Sequence, residues 1–313
     1  MCGISGYFEK SGAPGAIGTT LLGMLGALGR RGPDSAGVAV WGEAVDGLLV
    51  RVALGERSDT EALGRELLRR ARRLAQVRGV SARGPFLRFE IAKVDAPALV
   101  AALEVETGVE VVSLGQRLEI VKQVGAPRNL EAAFAVSKLV GTHGIGHTRL
   151  STESRVDLSH SQPFWAHGVA DLAIVHNGHI TSYHRLRRIY EQEGVRFYTE
   201  NDSEVIGVYL ARKLRRGASL REALEASVRE LDGSFSYLAA TADALGFAKD
   251  PYCLKPLIVA ETERAVAIAN EEIALHTALG DGYRAREAGA GEVMTWEIPR
   301  RRSARVPRRR RVA

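Results

Sequence analysis

The sequence predicts an α+β fold in which two sheets pack face to face under covering helices. Short alternating strand patterns crowd both ends of the chain, and amphipathic helical patterns lie between them. Length agrees: 313 residues, 45% hydrophobic and 26% charged, supply a substantial core for one large or two small domains.

Ile4, Gly6 and Phe8 mark a first strand, and Thr20–Leu28 puts Leu21, Leu25 and Leu28 on one helical stripe that RRGP at 30–33 ends. Val38–Trp41 and Leu48–Val52 read as strands. From about 57 to 125 the pattern changes. Ser58 and Glu61 have capping-box spacing ahead of a helix with Leu63, Leu67, Ala71 and Leu74 on one face. Strands at Phe86–Val94, Val109–Ser113 and Arg117–Val124, with a helix starting at Pro97, complete a small inserted α/β subdomain within a main domain of 2–299.

The main body resumes with a helix from Asn129 to Val140, a Gly-flanked strand in GIGHTRLST at 144–152 and an apolar strand at Leu172–Val175. Three amphipathic helices follow at about 182–192, 203–215 and 219–231, the last opened by a Ser219/Glu222 box. Strands at Ser234–Ala240, Leu245–Lys249, Leu257–Ala260, Ala265–Ala269 and Glu292–Glu297 end the pattern.

Composition removes several function classes. No apolar run reaches the roughly 18 residues a membrane span needs, and MCGISGYFEK has no basic-then-apolar leader. Two cysteines, Cys2 and Cys253, cannot build a disulfide framework or hold an iron–sulfur cluster, so a reducing, cytoplasmic setting is expected. The eight Arg of 300–313 carry more than the whole net charge of +6, which leaves 1–299 slightly acidic. The basicity is therefore an Arg-rich tail, expected to be disordered, and nucleic acid is not an expected partner. No phosphate-binding loop or dinucleotide fingerprint is present, so no cofactor is expected in this chain. Seven of the eight His lie between 143 and 184, including the pairs His143/His147 and His176/His179. Gly144 and Gly146 oppose a helix presenting the first pair, and no metal site is expected.

Cys2 follows the initiator Met. Removal of that Met would leave a thiol and a free α-amine on one residue. The amine, with a reference pKa of about 8, can take the thiol's proton, so one residue supplies nucleophile and base. Cys253 has no such base and reads as a packing residue.

MCGISGYF at 1–8, RRGPDSAGVAV at 30–40, GIGHTRLST at 144–152, HSQPF at 160–164, AIVHNGHI at 173–180, TENDSEVIG at 199–207 and KDPYCLKPLIVA at 249–260 together resemble class II glutamine amidotransferase domains. The stand-alone amidotransferase subunits of glutamate-synthase and N-methylglutamate-synthase type are the nearest kind. The resemblance implies a four-layer αββα sandwich of two antiparallel sheets, the N-terminal-nucleophile hydrolase fold. It implies a glutaminase whose partner is a separate synthase subunit carrying flavin and iron–sulfur groups.

The resemblance also implies roles. Cys2 attacks the amide, with Asn177 and Gly178 as its oxyanion donors; Arg149, with Thr152 nearby, holds the substrate carboxylate, and Asp202 holds its ammonium. Arg31 and Gly32 contact the nucleophile region. Plain structural readings stand beside these: a surface ion pair for Arg149, a helix N-cap for Asp202, a helix stop for RRGP and a hairpin turn for Asn177-Gly178. The insertion departs from simpler members of that family. The remaining residues also leave no room for a synthase domain of the kind that makes amino sugars, asparagine or phosphoribosylamine. An amidophosphoribosyltransferase-like system and an N-terminal-nucleophile amidase for another amide are the alternatives.

Overall fold

The computed structural model describes residues 2–55, 57–151 and 155–299. Thr152 and the tail 300–313 lie outside the described residues. Strand β1 (Gly3–Glu9), helix α1 (Ile17–Ala27) and strands β2 (Ser35–Trp41) and β3 (Leu48–Ala53) open the chain. Helix α2 (Thr60–Leu74), strands β4 (Val77–Arg83) and β5 (Phe86–Ile91), helix α3 (Ala96–Leu103) and strand β6 (Glu110–Gly115) follow. Next come β7 (Leu118–Val124), α4 (Pro127–Phe134), β8 (His143–Arg149), β9 (Phe164–Trp165) and β10 (Ala173–Ile180). Helices α5 (Tyr183–Gln192), α6 (Asp202–Arg215) and α7 (Leu220–Glu230) precede β11 (Gly233–Ala240), β12 (Ala244–Lys249), β13 (Ile258–Glu261) and β14 (Ala265–Ala269). Helix α8 (Glu272–Leu279), β15 (Ala285–Glu287) and β16 (Val293–Glu297) end the described chain.

One seven-stranded sheet runs β15-β13-β14-β1-β8-β2-β7, and a five-stranded sheet runs β16-β12-β11-β10-β9. Every pairing in both is antiparallel. Period-two alternation makes the layers. Ile4, Phe8, Ala39 and Trp41 of the large sheet meet Ala173, Val175, Leu238 and Ala240 of the other in one central core. The outward residues Val38, Val40, Ala267 and Ala269 pack under α1 and α8, while Ile174, Phe235, Tyr237 and Ala239 pack under α6 and α7. The result is the αββα sandwich that the resemblance implies.

A third sheet, β4-β5-β3-β6, spans 48–115 with α2 and α3 on its apolar face. The bounds expected from the sequence are 57–125. The shift arises because β3 pairs with β5 and β6, whereas β7 pairs with β2 in the large sheet, and alternation does not say which sheet a strand joins. Buried Asp171 fixes the chain's return: its carboxylate accepts the backbone N–H groups of Gln116, Arg117 and Leu118 at 2.8–2.9 Å.

Some local expectations give way. The Ser58/Glu61 box is not formed; Asp59 precedes α2 and makes no side-chain cap, while the Ser219/Glu222 box is present. The helix expected to reach Val140 stops at Phe134, because Ala135 turns into the left-handed region at φ 52°. Asn177-Gly178 forms no hairpin and lies within β10, paired with Ser236 and Phe235.

Two buried histidines bridge the large sheet to the other. His143 stacks on Trp41 with centroids 4.8 Å apart, and its Nε2 lies 2.9 Å from the Thr241 carbonyl; His147 Nε2 lies 3.2 Å from the His176 carbonyl. Burial pushes both imidazoles down to about 3, against 6.5 in an unfolded chain. Each stays neutral when folded and takes a proton when unfolded below about pH 6.5, so the stability it contributes is complete above 6.5 and is lost as pH falls towards 3. Between pH 7 and pH 5 unfolding free energy should fall by about 2 kcal/mol for each histidine, read by urea denaturation. His143→Phe, which keeps a ring on Trp41, should flatten the dependence; an unchanged slope in that variant would contradict the assignment.

Candidate active site

Cys2 immediately precedes β1, and the register of β1 on β8, Gly3 opposite Thr148, carries it to the end of β8 where Arg149 and Leu150 emerge. The Leu150 N–H approaches the Cys2 sulfur at 3.4 Å. Two side chains donate to the Cys2 carbonyl: Arg31 Nε at 3.1 Å and Asn177 Nδ2 at 3.3 Å. Arg31 is anchored in turn on Glu271 at 2.5 Å. Gly32 presses against β8 so closely that a Cβ there would lie 2.5 Å from the Thr148 carbonyl.

A cavity of about 460 Å³ opens beside the thiol, and Cys2, Arg149, Gly178 and Asp202 all line it. Arg149 is only 4% exposed, and its Nη1 donates to the Arg155 carbonyl at 2.8 Å. Burial draws its guanidinium down from the ordinary value, opposed by Cys2, Asp157 and Asp34. Asp202 opens α6 on the facing wall, but the N-cap is Asn201, whose side chain accepts the Ser203 N–H at 3.0 Å. The N-cap reading of Asp202 is thereby corrected by one residue. Its carboxylate accepts the Ile180 N–H at 2.8 Å and lies 3.6 Å from His176 Nδ1.

Strand β10 supplies a donor by the geometry of its free edge. Phe235 directs both backbone groups at Asp250, on the side away from β10. In the antiparallel ladder, therefore, His176, Gly178 and Ile180 point theirs away from β11. His176 N–H is taken by Gln162 Oε1 at 2.6 Å and Ile180 N–H by Asp202. The Gly178 N–H points to the same edge between them, where the cavity lies.

Several residues here have no site role expected from the sequence. Gln162 also donates from Nε2 to the His176 carbonyl and to Ser203 Oγ, so one side chain ties β9's approach to β10 and α6. Asp34 accepts the Ser151 N–H at 2.8 Å and holds the loop that follows Arg149. Burial pushes the His176 imidazole down against the pull of Asp202. Buried Glu204 accepts the N–H groups of Tyr198 and Thr199 and fixes the segment leading to Asp202. HSQPF and GPDS contain two of these residues, yet neither motif reveals a side chain facing backbone. Among the described residues no group of three or more His, Cys, Asp or Glu could hold a metal ion, and no helix is long and apolar enough to cross a membrane.

Comparison with known proteins adds a family to this geometry. Residues 147–277 match the family model described as a glutamine amidotransferase domain. A Methanothermobacter thermautotrophicus protein that bears a glutamine amidotransferase name is 34% identical over 95% of this chain and 100% of its own length. The glutamine amidotransferase-like protein GlxB of Rhizobium meliloti is 37% identical over 88% of this chain and 91% of its own. Among solved structures, the glutamine phosphoribosylpyrophosphate amidotransferase from B. subtilis superposes with a TM-score of 0.61 at 20% identity. That likeness concerns the fold. It covers 94% of this chain and 47% of the other, so this chain spans about half its length.

The matched span contains Gly178, whose φ is +145° and whose Cβ, if present, would lie 2.1 Å from the Ser234 carbonyl. Gly178→Ala should push β10 off β11 and lower stability by on the order of 3 kcal/mol. Denaturant unfolding measures this, and wild-type stability in the variant would show that the position has no need of glycine.

Proposed function

Because the chain belongs to the class II glutamine amidotransferases, we propose that it cleaves the side-chain amide of glutamine at Cys2 and delivers the ammonia to a separate synthase subunit. The observation that carries this reading is the shared cavity. A thiol, a buried guanidinium and a carboxylate, from Cys2, Arg149 and Asp202, wall one space of about 460 Å³. Free glutamine presents the complement: an amide carbon at one end, a carboxylate and an ammonium at the other.

Arg149 offers a planar fork to the substrate carboxylate, and Asp202 offers the ammonium a counter-charge already oriented by Ile180. Thr152, outside the described residues, is assigned the neighbouring hydroxyl donor. Once Met1 is removed, the Cys2 α-amine takes the thiol proton and sulfur attacks the amide carbon. The resulting oxyanion is met by Asn177 Nδ2, now 3.3 Å from the Cys2 carbonyl, and by the Gly178 N–H. The amine returns its proton to the leaving nitrogen, ammonia departs and a γ-glutamyl thioester remains. Water then adds to the thioester carbon, giving a proton to the amine, which passes it to the departing sulfur, and glutamate is released. Arg31 and Gly32 keep Cys2 in place throughout.

Ammonia released into water is protonated and stops being a nucleophile, so a partner should receive it directly. A flavin and iron–sulfur synthase of glutamate-synthase or N-methylglutamate-synthase type is the partner assigned. Relatives of matching length that bear only the amidotransferase name support this division into subunits. A sequence relative named as an amidophosphoribosyltransferase, 31% identical over 58% of this chain and 38% of its own length, supports a second reading, a phosphoribosyl-type acceptor.

Cys2→Ala should reduce glutamate release from glutamine to background while the circular dichroism spectrum stays unchanged. Arg149→Met and Asp202→Asn should each lower kcat/KM for glutamine roughly 10- to 100-fold, as expected for losing a charge-assisted hydrogen bond to substrate. Simple primary amides should be poor substrates in every case. Undiminished turnover in Cys2→Ala, or equal use of glutamine and acetamide by the wild type, would contradict the proposal. Co-purification with a flavin and iron–sulfur protein would identify the acceptor.

A further inference from the structure

Far along the chain from Cys2, the small sheet carries a charge pattern that the glutaminase does not use. Cross-strand register puts Arg51 of β3 directly opposite Arg88 of β5, with Ser81 of β4 opposite Arg88 on the other side. The flanking positions Val50, Val52, Leu87 and Phe89 are buried and apolar. Like charges directly opposed in a sheet are destabilising unless something compensates them.

The compensation present is partial. Arg51 is 6% exposed and its Nη2 donates to Glu119 of β7, but its Nε is buried without a partner among the described residues. The same Glu119 lies 3.5 Å from Arg88 Nε. Glu90 is 4.0 Å from Arg88 and is shared with Arg78 at 3.2 Å. Arg83 adds a third positive charge that acts on Arg51 and has no ion pair among the described residues. Arg51, Ser81, Arg83, Arg88 and Glu119 line a cavity of about 200 Å³ where the small sheet meets the edge strand β7, walled by Phe86, Phe134 and Leu139. Arg51 packs over the Phe134 ring at 5.6 Å.

We propose that this cavity binds a small oxyanion, a phosphate or carboxylate group on a short skeleton, held by Arg51, Arg83 and Arg88. Its size suits this class: about 200 Å³ gives room for a phosphate or a short carboxylate. The fork geometry of guanidinium suits an oxyanion, and the burial of Arg51 strengthens its bond to one. The bound anion would complete the charge balance between β3, β5 and β7 and so fasten the inserted unit to the large sheet.

Calorimetric titration of the full chain with inorganic phosphate, and separately with succinate, at constant ionic strength set by sodium chloride, tests the site. Saturable one-to-one binding of either anion, with a rise in Tm, is the expected result. Phosphate alone would identify a phosphoryl ligand and succinate alone a carboxylate. Arg83→Ala and Arg88→Gln should each weaken binding roughly tenfold, and exposed Arg83 can be replaced without disturbing the core. Arg149→Met should bind as the wild type does. Absence of binding to both anions, equal affinity in both cavity variants, or loss of binding in Arg149→Met, which would put the anion in the Cys2 cavity, would overturn the proposal. None of these outcomes depends on glutaminase activity.

Discussion

The antiparallel seat of β1 between β8 and β14 governs everything that happens at the thiol. Gly3 opposite Thr148 and Ser5 opposite Ala269 fix the strand on both edges, and Asn270 locks it from one end by accepting the Ile4 N–H and donating to the Pro256 carbonyl. With that register Cys2 falls beside Arg149 and Leu150. A slip of one residue would send Ile4 and Phe8 out of the inter-sheet core and turn the adjoining positions over with them. The position of the Cys2 thiol is thus set by core packing, through a strand whose inward residues are fully buried.

The other half of the site belongs to the opposite sheet, and it is made from an unfinished edge. Because β9 pairs with β10 only at Ala173 and Ile174, the backbone beyond is left to side chains. Gln162 and Asp202 satisfy the donors of His176 and Ile180, which both fixes those side chains and leaves Gly178 between them. Asp202 therefore has a structural bond on one oxygen and also lines the cavity. His147 joins the halves, reaching from β8 to the His176 carbonyl. Thiol, cation, anion and backbone donor meet where the ends of two sheets converge, each held by a bond that would exist without substrate.

Much of this was legible in the sequence. The amphipathic stripes of α5 and α7 follow from periodicity, because each leaves one face exposed, whereas β2 and β11 lie between layers, are buried on both faces and read as largely apolar runs. Cys2 and Arg149 stand out through the resemblance of their motifs, since position and residue type alone leave each a plain structural role. Other features depend on tertiary context. β4, VRGVSAR, is almost wholly exposed and shows no apolar alternation, so its pairing with β5 leaves no trace in composition. Asn177-Gly178 carries the local signature of a turn, and the sheet overrides it: pairing with Ser236 and Phe235 holds the dipeptide extended, with the positive φ that only glycine takes readily. Gln162 and Asp34 act on backbone groups remote in sequence, and nothing local distinguishes them from other polar loop residues.

The most direct test of the nucleophile is to react the intact protein with a diazo-ketone analogue of glutamine and map the adduct by peptide mass spectrometry. The account predicts one adduct, on the sulfur of Cys2, suppressed by excess glutamine and by removal of the Arg149 guanidinium, with Cys253 unmodified. Modification of Cys253 instead, or labelling of Cys2 that glutamine does not compete away, would contradict it.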